Sequence, residues 1–394
     1  MILPIITLKP GKEKSLNRFH PWLFSGAIQF VSQELEEGEL VRVVSNKNEF
    51  LALGHYQIGS IAVRIFSFED TTIDADFWEQ KLAVAVSVRR DLGLLGSSNT
   101  NVFRLIHGEG DGMPGLIVDF YNGTAVYQAH SIGMYLIREE IAAALKKIMG
   151  DSLIAVYDKS EKTLPFKADI HPQNGYILGE SEPCIVHEYD LSFQVDWVEG
   201  QKTGFFIDQR ENRKLVEQFS KGRDVLNMFC YSGGFSFFAM QGGANLVHSV
   251  DASSKAIELT RQNVLLNFKD DNRHEAFVAD VFDFMRDIKN RYNLIILDPP
   301  AFAKHRGALR QALQAYKRLN AKAFEQIRSG GIIFTFSCSQ VVSKDQFREA
   351  VFSGAAISGR NVRILHQLHQ PADHPINIYH PEGEYLKGLV LYVD

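Results

Sequence analysis

The residues best able to do chemistry lie in two short segments of the C-terminal half. Cys338 sits in Phe334-Thr-Phe-Ser-Cys-Ser339, after the Gly330-Gly331 turn, and Asp298 opens Asp298-Pro-Pro-Ala-Phe-Ala-Lys304 behind the apolar run Leu294 to Leu297. A thiol at a strand end between Ser337 and Ser339 reads as a nucleophile rather than a packed hydrophobe. The chemistry it fits is methylation of cytosine at carbon 5, a carbon too weakly nucleophilic until a thiolate has added to carbon 6. Methyl transfer, loss of the carbon 5 proton and expulsion of the thiolate would follow. A free thiol titrates near ~8.5, so the site must lower that value or supply a base, and no residue is singled out as the proton acceptor. Asp298 is expected to orient the target base, with Pro299 and Pro300 stiffening the loop. Ala301 stands where amino-group methyltransferases put a base-stacking aromatic, and Phe302 comes one residue late, which disfavours an adenine amino target. Cys230 and Cys184 are expected to pack, the latter in a strand of the middle region.

These segments need elements to position them, and beyond Trp197 the chain alternates strand and helix. Strands are predicted at 225–229, 246–250, 276–279, 294–297 and 332–336, each followed by a helical stretch, which implies a parallel sheet covered on both faces. Two further strands, 362–368 and 386–393, have no helix between them and should pair antiparallel. Asp208 with Glu211 reads as a capping box opening a helix that turns Leu215, Val216 and Phe219 inward. In such a sheet ligands bind beyond the carboxyl ends of the strands, and here those ends are polar. The first runs into Asn227-Met-Phe-Cys-Tyr-Ser-Gly-Gly-Phe235; others end at Asp251, Asp280 and Asp298. Gly233 and Gly234 permit close backbone approach, Asp251 is placed to accept from two ribose hydroxyls, and Asp280 could read an adenine edge. Adjacent glycines are not the Gly-x-Gly-x-x-Gly that pyrophosphate requires, so a nicotinamide dinucleotide is disfavoured. S-adenosylmethionine carries no phosphate and tolerates a bulkier turn, with Asn227, Phe229 and Tyr231 around it. It is the expected cofactor.

Three domains are expected in 394 residues: a small β-rich domain (1–72), a central α/β module (73–195) and the α/β sheet domain (196–394). The first has short alternating segments broken by Gly38, Asn46 and Gly59. The second begins with a helix from Asp76 to Leu95. It continues through a Gly-rich turn (107–115), strands at 116–120 and 124–129, and a helix at 135–149. No apolar run reaches the ~20 residues that span a bilayer, and the N-terminal residues lack a signal-peptide pattern, so a cytoplasmic address is expected. Three scattered cysteines form neither a disulfide framework nor a CxxC metal pattern, and no metal is expected.

A formal charge of −5 offers polyanions no global attraction, so nucleic-acid binding would have to be local. From Pro299 to Phe324 there is no acidic residue, while Lys304, Arg306, Arg310, Lys317, Arg318 and Lys322 are basic, with Arg306, Arg310 and Lys317 at helical spacing. A second cluster, Lys9, Lys12, Lys14 and Arg18, precedes Phe19-His-Pro-Trp22 and mixes charge with stacking groups. RNA is the expected partner. A guanine or adenine target, a non-catalytic RNA-binding factor and a homodimer all stay open.

Together the motifs resemble the bacterial ribosomal RNA large subunit methyltransferase I family, over nearly the whole chain. They are Gly11 to Gly26 with His20-Pro-Trp22, His107-Gly-Glu-Gly-Asp-Gly112 with Pro114-Gly115, Gly200-Gln-Lys-Thr-Gly-Phe-Phe-Ile-Asp-Gln-Arg210, Asp298 to Lys304, Ser337-Cys-Ser339 and Pro381-Glu-Gly-Glu-Tyr-Leu-Lys-Gly388. The resemblance implies an N-terminal PUA domain for RNA binding, a central α/β module and a class I, Rossmann-like methyltransferase sheet. It also implies cytosine carbon 5 of large-subunit (23S) ribosomal RNA as target and Cys338 as nucleophile. The cofactor site would be lined by Asn227, Tyr231, Gly233, Asp251, Asp280 and Asp298. Two departures matter. Ala301 replaces the second cysteine of a related group, and Ser339-Gln-Val-Val lacks the histidine many relatives carry after the nucleophile.

Overall fold

The computed structural model describes residues 3–165 and 170–394; the remaining positions, which fall in the first two expected domains, lie outside the described residues. The chain groups into two compact units. The first comprises residues 1–186, 195–207 and 372–383, and the second 187–194, 208–371 and 384–394.

In the first unit, β1 (Ile5–Leu8), β2 (Trp22–Phe24), β3 (Ile28–Val31), β4 (Leu40–Val44), β5 (Phe50–Tyr56) and β6 (Ile61–Ser67) form a sheet ordered β2-β6-β5-β4-β1-β3. Its inward side chains alternate along the strands, Ile6 and Leu8, Val41 and Val43, Val63 and Ile65, as a sheet with one buried face requires. Asp74 caps α1 (Ala75–Asp91), accepting from the Phe77 amide at 3.0 Å. The helix thus ends earlier than the expected Leu95, at the Gly93 turn. Next come β7 (Val102–His107), β8 (Leu116–Tyr121), β9 (Thr124–Ala129) and β10 (Ala155–Asp158), with β11 (Gly175–Leu178), in the sheet order β11-β10-β9-β8-β7. The helix expected at 135–149 is two helices, α2 (Ile132–Leu136) and α3 (Arg138–Met149), the first capped by Ser131. Trp78, Leu82 and Val86 of α1 share one core with Phe66 of the first sheet and Phe103, Leu105 and Val118 of the second. Cys184 is half-buried and lies one residue ahead of β12 (Ile185–Glu188), outside any strand.

β12 pairs with β13 (Leu191–Gln194). The second unit is then built on β14 (Asp224–Met228), β15 (Leu246–Asp251), β16 (His274–Val278), β17 (Leu294–Leu297), β18 (Gly331–Ser337), β19 (Val362–His369) and β20 (Lys387–Val393), ordered β16-β15-β14-β17-β18-β20-β19. Strands β14 to β18 are parallel, and β20 runs antiparallel between β18 and β19. Each strand expected from the sequence is present within about two residues. Chain order reverses direction between β14 and β17, which makes the carboxyl ends of these two strands the place where a parallel sheet of this kind takes its ligand.

Helices α4 (Arg210–Ser220), α5 (Gly234–Gln241), α6 (Ser254–Asn267), α7 (Val281–Phe284), α8 (Leu309–Gln326) and α9 (Lys344–Ser358) complete the unit. Successive residues of β17 feed opposite faces. Ile295 and Leu297 pack with Tyr316, Leu319 and Phe324 of α8 and Phe347 of α9, while Leu294 and Ile296 pack with Val216 of α4 and Phe235 and Ala239 of α5. Each such fully buried aliphatic side chain contributes about 1.5–3 kcal/mol, so a strand apolar on both faces is held firmly where its polar end must be exact to the ångström. The capping box is corrected. α4 begins behind a 3₁₀ turn at Ile207–Gln209 with no side-chain cap; Asp208 instead accepts from the Tyr385 hydroxyl at 2.7 Å, and Glu211 from the Tyr189 hydroxyl at 2.8 Å.

Candidate active site

Five parallel strands deliver their carboxyl ends to one edge, and the turn after β14 is the most constrained of them. Gly233 has φ +85°, and a Cβ there would meet the Phe237 ring at 2.5 Å and Thr260 Cγ2 at 2.8 Å, so only glycine fits. Phe229 (φ 59°) and Tyr231 (φ 47°) also adopt left-handed backbone, which costs roughly 1–2 kcal/mol per non-glycine residue. Neighbouring elements hold that strain in place. The Tyr231 amide donates to Asp251 Oδ2 at 3.1 Å, Thr260 Oγ1 donates to the Tyr231 carbonyl at 2.8 Å, and Asn263 Nδ2 to the Ser232 carbonyl at 3.3 Å. Beneath the turn, Arg213 forms a buried two-pronged ion pair with Glu188, 2.6 Å at each contact, and its Cδ leaves no room for a Cβ on Gly234.

Of the predicted cofactor residues, Asp251 closes β15 with one carboxylate oxygen on the Tyr231 amide and the other on the Ser253 amide at 2.9 Å. Each oxygen keeps a lone pair for a ribose hydroxyl. Asp280 is exposed and caps α7, its Oδ1 accepting from Phe282 and Asp283 amides. Asn227 lies fully buried under the turn, donating to Ser236 Oγ at 3.0 Å, with its amide oxygen unpartnered. Phe229 and Tyr231 are part-exposed beside it. A cradle that excludes side chains, with carboxylates on the two following strands and no phosphate-binding glycine series, fits S-adenosylmethionine.

Asp298 follows β17 and accepts from Gln209 Nε2 at 3.1 Å; Gln209 in turn accepts from Asn212 Nδ2 at 2.7 Å. One strand over, Cys338 directly follows β18 and is partly exposed. The segment around it is tied on three sides. Ser339 Oγ donates to the Ala303 carbonyl at 2.5 Å, and Ser337 Oγ to the Tyr316 hydroxyl at 2.8 Å. Lys387, paired across β20 with Ser337, donates from Nζ to the Ser339 and Val342 carbonyls at 2.6 Å each. Phe302 packs against the Tyr316 ring with centroids 4.7 Å apart and planes tilted by 53°, so both loops rest on one tyrosine. Burial, with the Cys338 and Asp298 charges adding to it, pushes the Tyr316 hydroxyl up to about 12, so it stays protonated. Burial pushes the Lys387 ammonium down to about 8, opposed by its attraction to Cys338 and Glu384. Gln209, Tyr316 and Lys387 escaped the sequence reading; the only signal was Lys387 within an otherwise apolar strand.

Cys230 is buried against Ile257 and Ala276, its thiol pushed up to about 12 mainly by burial, which suits packing and not catalysis. Lys304, Arg306 and Arg310 are exposed. The helical spacing expected for Arg306, Arg310 and Lys317 holds only for the last two, since Arg306 lies in a 3₁₀ turn and α8 starts at Leu309. Lys9, Lys12, Lys14 and Arg18 are exposed on the first unit, where Lys9 Nζ also donates to the Gly26 carbonyl at 3.0 Å.

Comparison with known proteins accords with this geometry. Residues 6–68 match a PUA-like domain family and residues 152–379 an S-adenosylmethionine-dependent methyltransferase family. The chain is therefore an S-adenosylmethionine-dependent methyltransferase with an N-terminal PUA-like domain. Ribosomal RNA large subunit methyltransferase I of Alteromonas mediterranea is 36% identical, with 98% of each chain covered, and that of Shewanella frigidimarina is 38% identical, covering 98% of this chain and 99% of its own. The chain belongs to the ribosomal RNA large subunit methyltransferase I family. Among solved structures, a proposed methyltransferase of Streptococcus mutans superposes over the full length of both chains with TM-score 0.84 at 23% identity, and another bound to S-adenosylhomocysteine with 0.85 at 24%. These two speak for the fold. No helix among the described residues is long and apolar enough to cross a membrane.

Proposed function

We propose that the protein methylates carbon 5 of a cytosine in RNA, and that Cys338 is the nucleophile. The observation that carries this reading is a part-exposed cysteine at the carboxyl end of β18, beside the strand that ends in Asp298, with a buried ammonium bonded to its loop. When bound, S-adenosylmethionine supplies an electrophilic methyl group. Asp251 and Asp280 would hold its ribose and adenine, with Gly233 giving it room.

The chain's own residues account for the rest. The Cys338 thiolate adds to carbon 6 of the base, forming a carbon–sulfur bond and pushing electron density to carbon 5. Lys387 keeps positive charge beside that sulfur and stabilises the anion before addition and after expulsion. Asp298, held by Gln209, would accept from the exocyclic amino group that distinguishes cytosine from uracil. Tyr316 fixes the spacing between the Cys338 and Asp298 loops.

Large-subunit ribosomal RNA is the proposed substrate, because the relatives that match end to end are named for it. Lys304, Arg306 and Arg310 next to the Asp298 loop, and Lys9, Lys12 and Arg18 on the PUA-like unit, are the proposed phosphate contacts. RNA containing 5-fluorocytidine should trap a covalent adduct, since fluorine cannot leave as a proton does. Cys338→Ala should abolish both adduct and turnover. Methylated product at an undiminished rate from that variant would eliminate the cysteine mechanism and move the target to a guanine or adenine.

A further inference from the structure

The first unit holds a second constellation that the methyl-transfer chemistry does not use. His20, from the His-Pro-Trp motif, His380 and Glu382 bring their ligand atoms within 4.8 Å of one another. His20 Nε2 lies 3.7 Å from Glu382 Oε2, and His380 Nε2 lies 3.9 Å from the same oxygen. Ligands about 2.1 Å from a tetrahedral ion stand about 3.4 Å apart, so these two gaps need close by only about 0.3–0.5 Å.

His380 supplies an independent sign. Its side chain is 3% exposed, yet neither ring nitrogen has a hydrogen-bond partner. An imidazole hidden from water without a partner has lost its hydration with nothing in return, which a metal bond would recover. Trp22 holds the His20 ring with Nε2 toward the cluster: Nδ1 is 3.3 Å from the Trp22 carbonyl, and the tautomer that donates there is the one whose Nε2 lone pair could take a metal. The Trp22 amide, 3.2 Å from the same Nδ1, favours the opposite tautomer, so binding would select between the two.

The segment bearing His380 and Glu382 is independently anchored. Arg89 Nη2 donates to the Asp373 carbonyl at 2.8 Å, the Arg104 amide to Asp373 Oδ2 at 2.9 Å, and Asn377 Nδ2 to the Glu109 carbonyl at 3.2 Å. Nearby Arg64 is paired with Glu109 at 3.2 Å, which offsets its repulsion of a cation.

We propose that His20, His380 and Glu382 bind a divalent transition-metal ion of the zinc class, two imidazoles and a carboxylate leaving the fourth position open to solvent beside the half-exposed Glu382. The donor set is nitrogen-rich, which selects zinc, cobalt or nickel over magnesium or calcium. Bound there, the ion would pin the 372–383 segment to the turn after β1.

The test uses the untagged full-length protein, stripped with chelator and titrated with Co²⁺ and Zn²⁺. One equivalent of Co²⁺ should bind with visible d–d absorption, be displaced by Zn²⁺, and quench tryptophan emission, because the Trp22 ring centroid is 4.3 Å from that of His380. Glu382→Gln and His20→Asn, both at the accessible side of the cluster, should each weaken binding by at least about tenfold while melting as the metal-free parent does. Failure of the parent to take up either ion, or uptake unaltered in both variants, overturns the proposal.

Discussion

Lys387 offers the sharpest test of the site's electrostatics. Its Nζ is buried and donates to the carbonyls of Ser339 and Val342, and β20 sets it opposite Ser337, the neighbour of Cys338. The Lys387 ammonium is attracted to the Cys338 thiolate, and at an effective dielectric of about 20 a pair of opposite unit charges at close range gains on the order of 3 kcal/mol, equivalent to about 2 pH units on a thiol. Partial exposure of Cys338 lets water screen roughly half of that. Replacing Lys387 by Met should therefore raise the pH midpoint of Cys338 alkylation by about one unit. The readout is the iodoacetamide rate followed by peptide mass spectrometry, in which buried Cys230, with its thiol pushed up to about 12, stays silent. The sign of a second effect follows from the ammonium itself. Held down to about 8, it is charged below that pH and loses its charge above it, so methylation by the parent should fall on the alkaline side near 8. Lys387→Arg keeps the charge and should remove that fall. Equal alkylation midpoints in the parent and a folded Lys387→Met protein would refute the reasoning, leaving Lys387 as a loop anchor only.

The uneven legibility of the site has a physical basis. The parallel strands could be read because each is buried on both faces: Leu294 to Leu297 is unbroken apolar sequence, and the first polar residue after it, Asp298, marks the edge where ligands bind. Cys338 stood out for the same reason, as the polar end of an apolar run. What could not be read are partners brought together by non-local pairing. Gln209 reaches Asp298 from a turn that local pattern assigned to a capping box, and Asp208 looked like a cap because its true partner, Tyr385, arrives from far along the chain. Lys387 is masked by its own strand, where period-two reasoning assigns a charged residue to the solvent face; in a central strand there is no such face. The His20 cluster is likewise silent in sequence, because residues 372–383 return to the first unit from within the methyltransferase half.

Three further measurements bear on separate parts of the molecule. Gly233→Ala, which combines positive φ with a 2.5 Å approach to Phe237, should weaken S-adenosylmethionine binding at least about tenfold by calorimetry, whereas Gly222→Ala, with φ +71° and open space, should leave affinity unchanged and cost only about 1 kcal/mol of stability. Replacing both Arg306 and Arg310 by Ala should flatten the dependence of log affinity on log salt by about 1.4, at about 0.7 per phosphate contact on single-stranded RNA; an unchanged slope would take these residues off the RNA path. The last concerns pH and the first unit. His55 is buried against Phe66 and Trp78, and burial holds its imidazole down to about 4. Above the unfolded value of about 6.5 both states are neutral and His55 costs nothing; as pH falls from there toward 4 the unfolded chain takes up a proton that the fold refuses, so stability is lost. At pH 5 the loss is about 2 kcal/mol from this residue, and His55→Gln should melt with a shallower decline between pH 7 and 5 than the parent, whereas parallel declines would mean that His55 titrates normally in the fold.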